Sequence, residues 1–587
     1  MTFRRCVLRA AIAAAIALES GVAEAGGFEL PDNGTQALGR GAAFVAKASD
    51  ATAIYHNPAG LARQRGTHLL ANGNLYIHSF EFQRIGTFPD DPQDAQTPWG
   101  DTPYPRVKNI ASPFISPFLA LTTDFGYFDR ITFAAGIFGP PSVANRTFPL
   151  SIGGKPSASR YDFVQSRSSL LYPTVAAAVR VTRWLDIGVS GHLVLASFDQ
   201  TMLSYSDLET CSENTIDGQK RREDFRCDTE SRLKAKGTSF AATIGATVRP
   251  VRWLAFGASF RTPTNVSANG TLTPEPPSAL PAGQELTAGP ANLAFQLPWA
   301  ARFGVRYIGM DADFEVYDLE LDGTYEGWGS AQGLGPILTV PDIGSFKDIQ
   351  TVITRGYKNT IGVRAGGAYN IDTGAGVLTL RGGSYFDSSA TDFATTRLDY
   401  DTLAKVAGTL GLGYKIGSFG FDVAYAAVAS IPRTVGTGAG KVRPINLVDG
   451  GSSSDRDGNP LPAVNEGSYR GFTHIVSFGL GVSIDGLFGP PRKFHYGNAY
   501  EPNYVGAGDE RPDAKPVDEK KLEEKKPEEK PAEKPPEEKP PEEKKPEEKK
   551  PEEKKPVAEA PPEKPEPKKP EPKAPPAPPV VVPAPPV

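Results

Sequence analysis

The chain has 587 residues, 39% hydrophobic and 22% charged, with a formal net charge of -5, only 3 Cys, but 61 Gly and 55 Pro. Length admits about four ordinary domains or a single large barrel with appendages. With no apolar run of about 18 residues past the N-terminal segment, polytopic helical pumps and carriers are excluded; without a basic excess, nucleic acid is not expected as a partner.

The first residues read as an export address. Arg4, Arg5 and Arg9 flank Ala10–Leu18, an apolar run too short for a hydrocarbon core that needs about 20 residues. Ala23-Glu24-Ala25 has the small-x-small form of a cleavage site, so residues 1–25 are assigned to a signal peptide that carries Cys6 away. Residues 26–66 show no strand alternation. Within them Asn57-Pro58 marks a helix start, because the Asn side chain can accept a free backbone N–H and Pro occupies the first helical position, where no donor is required. His56 reads as packing or solvent-facing rather than catalytic, and the small residues before it suit a confined space.

From about Thr67 to Ile484 the apolar residues recur with period two. Leu185-Ile187-Val189 face away from Asp186-Gly188-Ser190-His192, and Phe240-Ala242-Ile244-Ala246-Val248 away from Ser239, Thr243, Gly245 and Thr247. Phe419-Phe421-Val423-Tyr425 and Val476-Phe478-Leu480-Val482 repeat the pattern. Such strands suit a soluble sandwich or a membrane barrel equally. Connection length separates the two. Short turns near 124–130, 181–185, 249–254, 309–313, 370–376 and 415–420 alternate with long excursions at 84–107, 140–159, 201–232, 269–293, 328–354, 388–402 and 434–466. That alternation predicts an all-β, transmembrane antiparallel barrel of about fourteen strands, with short periplasmic turns and long surface loops. Trp184, Trp253, Tyr307 and Tyr414 are expected at the interfacial girdles.

Alternation also predicts which basic residues enter the lumen: Arg302 and Arg306 opposite Phe303 and Tyr307, Lys358 and Arg364 opposite Ile361 and Val363, and Arg381 with Tyr385 opposite Leu380 and Gly382. A charge on the lipid face would cost about 2–4 kcal/mol at mid-depth. Such lumenal charges could instead pair with Asp313 and Glu315 and hold the interior together. Cys211 and Cys227 share one polar stretch of an exported chain and are expected to pair, a bridge contributing about 3 kcal/mol. Two free thiols are the alternative, and a metal site would want a nearby His that the stretch lacks. Asp455-Arg456-Asp457-Gly458 is the start of a calcium-loop pattern, but Val464 stands where the bidentate Glu belongs. There is no phosphate-binding loop, His-Glu-x-x-His or Gly-x-Ser-x-Gly, so no catalytic residue, metal or cofactor is expected.

The tail repeats Pro-Glu-Glu-Lys-Lys units, as at 546–550 and 551–555, and ends in Ala, Pro and Val. A Pro every five or six residues interrupts any helix, leaving an extended spacer or a disordered solubilising segment.

Taken together, Gly26-Gly27-Phe28, Leu38-Gly39-Arg40, the Asp50–Leu61 stretch with its Asn-Pro-Ala-Gly, and the late Leu378–Asp387 strand resemble the FadL-type outer-membrane transporters of long-chain fatty acids and other hydrophobic compounds. The resemblance implies a hatch at 26–66 plugging a barrel at 67–488, with a periplasmic Pro/Glu/Lys-rich tail at 489–587. Phe28 would reach the ligand pocket, and Asn57, Pro58 and Ala59 would form the gating element. A kink in the third strand, here 130–139 before Pro140-Pro141, would open the wall sideways. The implied function is passive uptake of long-chain fatty acids or similar molecules across the bacterial outer membrane. Lumenal Arg302, Arg306, Lys358, Arg364, Arg381 and Tyr385 are the candidates for orienting the head group. Uptake of aromatic hydrocarbons, or a tethering barrel whose tail contacts the cell wall, are the alternatives. Expected partners are the solute, outer-membrane lipid and the barrel assembly machinery. One feature departs from the family: the last strand ends near Ile484, with Phe488 close by and about a hundred residues following, rather than at the chain end.

Overall fold

The computed structural model describes residues 30, 33–89, 99–139, 145–208, 215–216, 219–220, 223–331, 335–447, 450–455 and 457–485. The signal segment, Phe28, Cys211 and the tail from 486 lie outside these residues.

Fourteen antiparallel strands close into a barrel. In chain order they are β1 (Thr67–Arg84), β2 (Phe114–Thr123), β3 (Ile131–Phe138), β4 (Ser169–Arg180), β5 (Leu185–Tyr205) and β6 (Asp228–Val251). Then come β7 in two parts (Leu254–Arg261 and Thr264–Glu275), β8 in two parts (Gly289–Leu297 and Ala300–Asp311) and β9 (Phe314–Glu326). The last five are β10 (Thr360–Asp372), β11 (Val377–Asp387), β12 (Lys405–Ile416), β13 (Phe419–Val435) and β14 (Gly467–Ser483). β14 pairs with β1 from His68↔Ser483 to Arg84↔Gly467, which removes both sheet edges. The short turns and long loops fall where chain spacing places them. The breaks in β7 and β8 lie side by side, at Thr262-Pro263 and Pro298-Trp299, where proline cannot donate to a ladder. β3 itself is continuous over its described length, and residues 140–144 after it lie outside the described set.

Each strand turns one face outward. On β6 that face carries Phe240, Ala242, Ile244, Ala246 and Val248 while Ala241, Thr243, Gly245 and Thr247 are buried. Leu319 and Leu321 on β9, Leu410 and Leu412 on β12, and Phe478 and Leu480 on β14 continue the exposed apolar belt. So large an exposed greasy surface is stable only against acyl chains. At the short-turn rim Trp253, Tyr307 and Tyr317 form a chain of rings at 6.1 and 6.2 Å, and exposed Trp184 and Tyr369 extend it. At the other end the long loops pack over one another, with Phe88, Tyr104, Phe148, Phe163, Leu398 and Leu403 buried among the tops of β1, β13 and β14. Cys227, in a long loop, is buried and disulfide-bonded.

Candidate functional site

The segment ahead of β1 runs through the barrel interior. It folds as two short helices, α1 (Thr35–Gly39) and α2 (Ala53–His56), and a 3-10 turn at Pro58–Arg63. The Asn57-Pro58 start predicted from sequence is present, on a 3-10 turn rather than an α-helix: the Asn57 side chain accepts from the Ala59 N–H at 3.2 Å. Its amide also donates to the carbonyls of Val45 (2.8 Å) and Ala246 (3.1 Å), so one residue caps the turn and ties it to β6. Strand glycines make room. A Cβ at Gly188 would fall 2.3 Å from the Pro58 carbonyl carbon, and one at Gly245 would fall 2.1 Å from Asn57 Oδ1.

On the opposite side a ladder of carboxylates holds the segment. Asp318, Glu320 and Asp322 alternate along the inner face of β9. Asp322 accepts from the backbone N–H groups of Phe44 (2.8 Å) and Val45 (3.0 Å), and Glu320 from that of Ala46 (2.7 Å). Arg40, fully buried, pairs with Asp318 at 2.7 Å and Glu320 at 3.2 Å, while Lys47 pairs with Glu315 at 2.9 Å and also with Asp318. Burial pushes the Lys47 ammonium below its ordinary range, Arg306 adding to the effect while Asp318 and Glu315 oppose it. His56 sits between the rings of Phe44 and Tyr55, its Nε2 2.7 Å from the Asn33 carbonyl oxygen. Burial holds it neutral, lowering its pKa to about 3.

One pocket joins this segment to the wall. Leu30, Ala42, Val45, Tyr55 and His56 line it from the segment, and Arg302, Thr324, Glu326 and Arg364 from β8, β9 and β10. Arg302 lies over the Tyr55 ring at 4.8 Å and donates to its carbonyl at 3.4 Å. Arg364 donates to Thr324 (3.0 Å) and pairs with Asp387 (3.0 Å). Glu326 accepts from the Trp328 indole at 2.8 Å.

The other expected lumenal residues fall elsewhere. Arg306 points inward but belongs to the carboxylate network, bound to Asp318 at 2.6 Å and to Glu315. Arg381 pairs with Asp422 at 2.6 Å, and Tyr385 is buried with Leu38, Tyr76 and Ile475. Lys358 requires a correction: it precedes β10, which starts at Thr360, and sits in the long loop paired with Asp392 at 2.6 Å, its side chain 38% exposed. Alternation carried past a strand end has no orienting force, because the loop backbone no longer pleats. Asp313, expected as a lumenal partner, instead pairs at the rim with Arg252 at 3.3 Å. Lys47, Glu326 and the β9 carboxylates Asp318, Glu320 and Asp322 have no role in the sequence reading, and Arg40 and Tyr55 enter it only within the Leu38-Gly39-Arg40 motif and the Asp50–Leu61 stretch. For the carboxylates the signal was present, since Asp318, Glu320 and Asp322 alternate with Leu319 and Leu321.

Beside the pocket, rings line the inner surface near β3. Phe138 contacts Tyr55 at 5.5 Å, stacks on Phe118 at 5.3 Å and on Tyr172 at 5.5 Å, and meets His192 at 5.9 Å. His192 is held between Thr174 (2.8 Å) and Thr243 (2.9 Å). Ile54 packs on β3 where a Cβ at Gly136 would come within 2.8 Å of it.

The fold is similar to that of a Pseudomonas aeruginosa FadL homologue, at 15% identity and a TM-score of 0.60, over 78% of this chain and 100% of that one. It is also similar to the P. putida toluene transporter TodX, at 14% identity and a TM-score of 0.54 over 78% and 99% of the two chains. The Ralstonia pickettii toluene transporter TbuX aligns at 16% identity with a TM-score of 0.52, over 77% and 99%. No curated protein sequence matches the chain. The sequence model of the outer membrane protein transport family (OMPP1/FadL/TodX) matches residues 16–440, and the chain belongs to that family of outer-membrane channels for hydrophobic compounds.

Proposed function

We propose that the solute is an amphipathic acid of the long-chain fatty acid type, bound head-first in the pocket between the N-terminal segment and β8–β10 before release past β3. The observation that carries this reading is the composition of that pocket: two guanidinium groups, Arg302 and Arg364, face it together with the apolar surfaces of Leu30, Val45 and Tyr55. A carboxylate needs charge-assisted donors to leave water, and an alkyl chain needs the adjoining apolar wall. Asp387 orients the Arg364 guanidinium when the pocket is empty, and Glu326, lining the same pocket, offsets part of the positive charge. The N-terminal segment acts as the hatch, with Asn57, Pro58 and Ala59 at its hinge with the wall.

The test replaces Arg302 and Arg364 together with Gln in the purified protein and measures the Kd for oleate and for toluene. Oleate affinity is expected to fall about tenfold or more while toluene affinity is unchanged. Equal loss for both solutes would defeat the head-group site. A second reading, uptake of aromatic hydrocarbons, is favoured by the ring cluster of Tyr55, Phe118, Phe138 and Tyr172, which suits stacking on a flat solute. Loss of toluene but not oleate binding on Phe138→Leu would support it.

A further inference from the structure

The outward face of β6 changes character abruptly. From Val248 to Phe240 it is apolar, a stretch of nine residues that matches one crossing of the hydrocarbon core by a tilted strand. Beyond Thr238, toward the long-loop end, the same face carries Lys236, Lys234 and Arg232 in succession, all exposed. Phe240, 75% exposed, marks the edge of the belt. At about 3.4 Å per residue and a tilt of about 40°, Lys236 stands roughly 10 Å beyond it along the membrane normal, at head-group depth.

The stripe is neutralised only in part by its neighbours. The nearest acid, Asp199 on β5, is occupied by Arg232, which donates Nε–H to one carboxylate oxygen and an Nη–H to the other, both at 2.7 Å. Lys234 lies across from Asp199 and Thr271, and Lys236 across from Ser197 and Asn269. Among the described residues neither lysine enters an ion pair. Glu230 and Glu275 face each other two positions farther out, and cap the stripe instead of pairing with it. Two ammonium groups on alternate residues, beside the amide of Asn269 and the hydroxyl of Thr271, directly above an acyl-chain surface, present donors for a phosphorylated sugar whose acyl chains lie along the strand below.

The geometry points to a lipid-binding site on the outer wall of β6, where Lys234 and Lys236 hold a phosphate of lipid A in the outer leaflet. The site is separate from the lumen, and it rests on the long loops facing outward, as they do in outer-membrane barrels.

The test uses the full-length protein in detergent, with bisphosphorylated lipid A as the probe and native mass spectrometry as the readout. Lys234→Glu with Lys236→Glu is expected to lower lipid A occupancy about twentyfold or more, since two attractive charges are lost and two repulsive ones introduced. Lys234→Arg with Lys236→Arg should retain lipid A, and dephosphorylated lipid A should bind the unaltered protein poorly. All variants should show the same sheet spectrum and heat-modifiable migration, since the substituted side chains are exposed. The proposal is overturned if the charge-reversed protein binds lipid A as the unaltered one does, or if removing the phosphates makes no difference. It is overturned equally if phosphatidylglycerol displaces lipid A at equal concentration, because the stripe would then take any anionic lipid.

Discussion

The N-terminal segment meets the barrel on two unlike sides. Toward β8 and β9 it is fastened by charge: Arg40, Lys47 and Arg306 interlock with Glu315, Asp318 and Glu320, and the backbone of Phe44 to Ala46 donates into the same ladder. Toward β3–β6, residues 54–58 rest on neutral surfaces, Ile54 on Gly136, Pro58 on Gly188 and Tyr55 on Phe138, with the Asn57 amide donating to Ala246; charge returns only at the end of the segment, where Arg63 pairs with Asp186 of β5 at 2.7 Å. Pulling one partner away from a buried ion pair strands the other charge without compensation, at about 3–5 kcal/mol, whereas neutral contacts part without stranding a charge. On the proposed hatch reading, the segment is expected to part from the wall first at residues 54–58. The ion pairs of Arg40, Lys47 and Arg63 would keep it attached, and the path so uncovered would run along the ring cluster of Phe118, Phe138 and Tyr172.

The largest effect should follow from breaking the charged side. Arg40→Met leaves Asp318 and Glu320 buried with less compensation and is expected to cost about 3–5 kcal/mol. It should read out as faster amide exchange across residues 40–47 and a raised conductance in planar bilayers. Adding Glu320→Gln should recover part of the loss, since the pair is coupled. If exchange and conductance stay as in the parent protein, the ladder is not the anchor. Gly188→Val tests the neutral side by driving a side chain into the Pro58 backbone, at about 1–3 kcal/mol. Exchange should then accelerate over residues 53–63 while 40–47 remain protected; acceleration of both would mean the two sides move as one.

His56 bridges the sides, because its ring touches both Phe44 and Tyr55. With its pKa lowered to about 3 by burial, against about 6.5 in the unfolded chain, the folded segment binds fewer protons than the unfolded one between those values. The stability it contributes is fully present above pH 6.5 and is lost as pH falls toward 3, by roughly 1.4 kcal/mol per unit. Exchange of residues 53–57 at pH 5 against pH 7 measures this, and His56→Gln should flatten the dependence. A pH response unchanged in that variant would assign it to other groups.

What sequence made legible was whatever depends on local periodicity. The strands, their lipid faces, the segregated turns and loops, and the Asn57 cap all follow from residues within a few positions of one another. The wiring of the lumen depends on relations that no local pattern encodes. Arg306 faces Glu320 in the β8–β9 register yet bonds Asp318 and Glu315 diagonally. Arg40 finds β9 only because the segment crosses the lumen, nearly 280 residues away in sequence. The pocket likewise needed Tyr55 and Leu30 brought against Arg302 and Arg364, a juxtaposition set by the path of the segment.

The smallest effect is expected at Lys358, which belongs to neither side of the hatch. Its side chain is 38% exposed and that of its partner Asp392 is 52% exposed, a pairing that solvent screens to about 0–1 kcal/mol. Lys358→Gln should therefore leave both the melting temperature and oleate affinity within error of the parent protein, where Arg302→Gln and Arg364→Gln lower affinity. A fall in oleate affinity from Lys358→Gln alone would show that solute is drawn through the loop above β10 on its way to the pocket. Capture would then begin on the loops, and the two arginines would be a second station rather than the first.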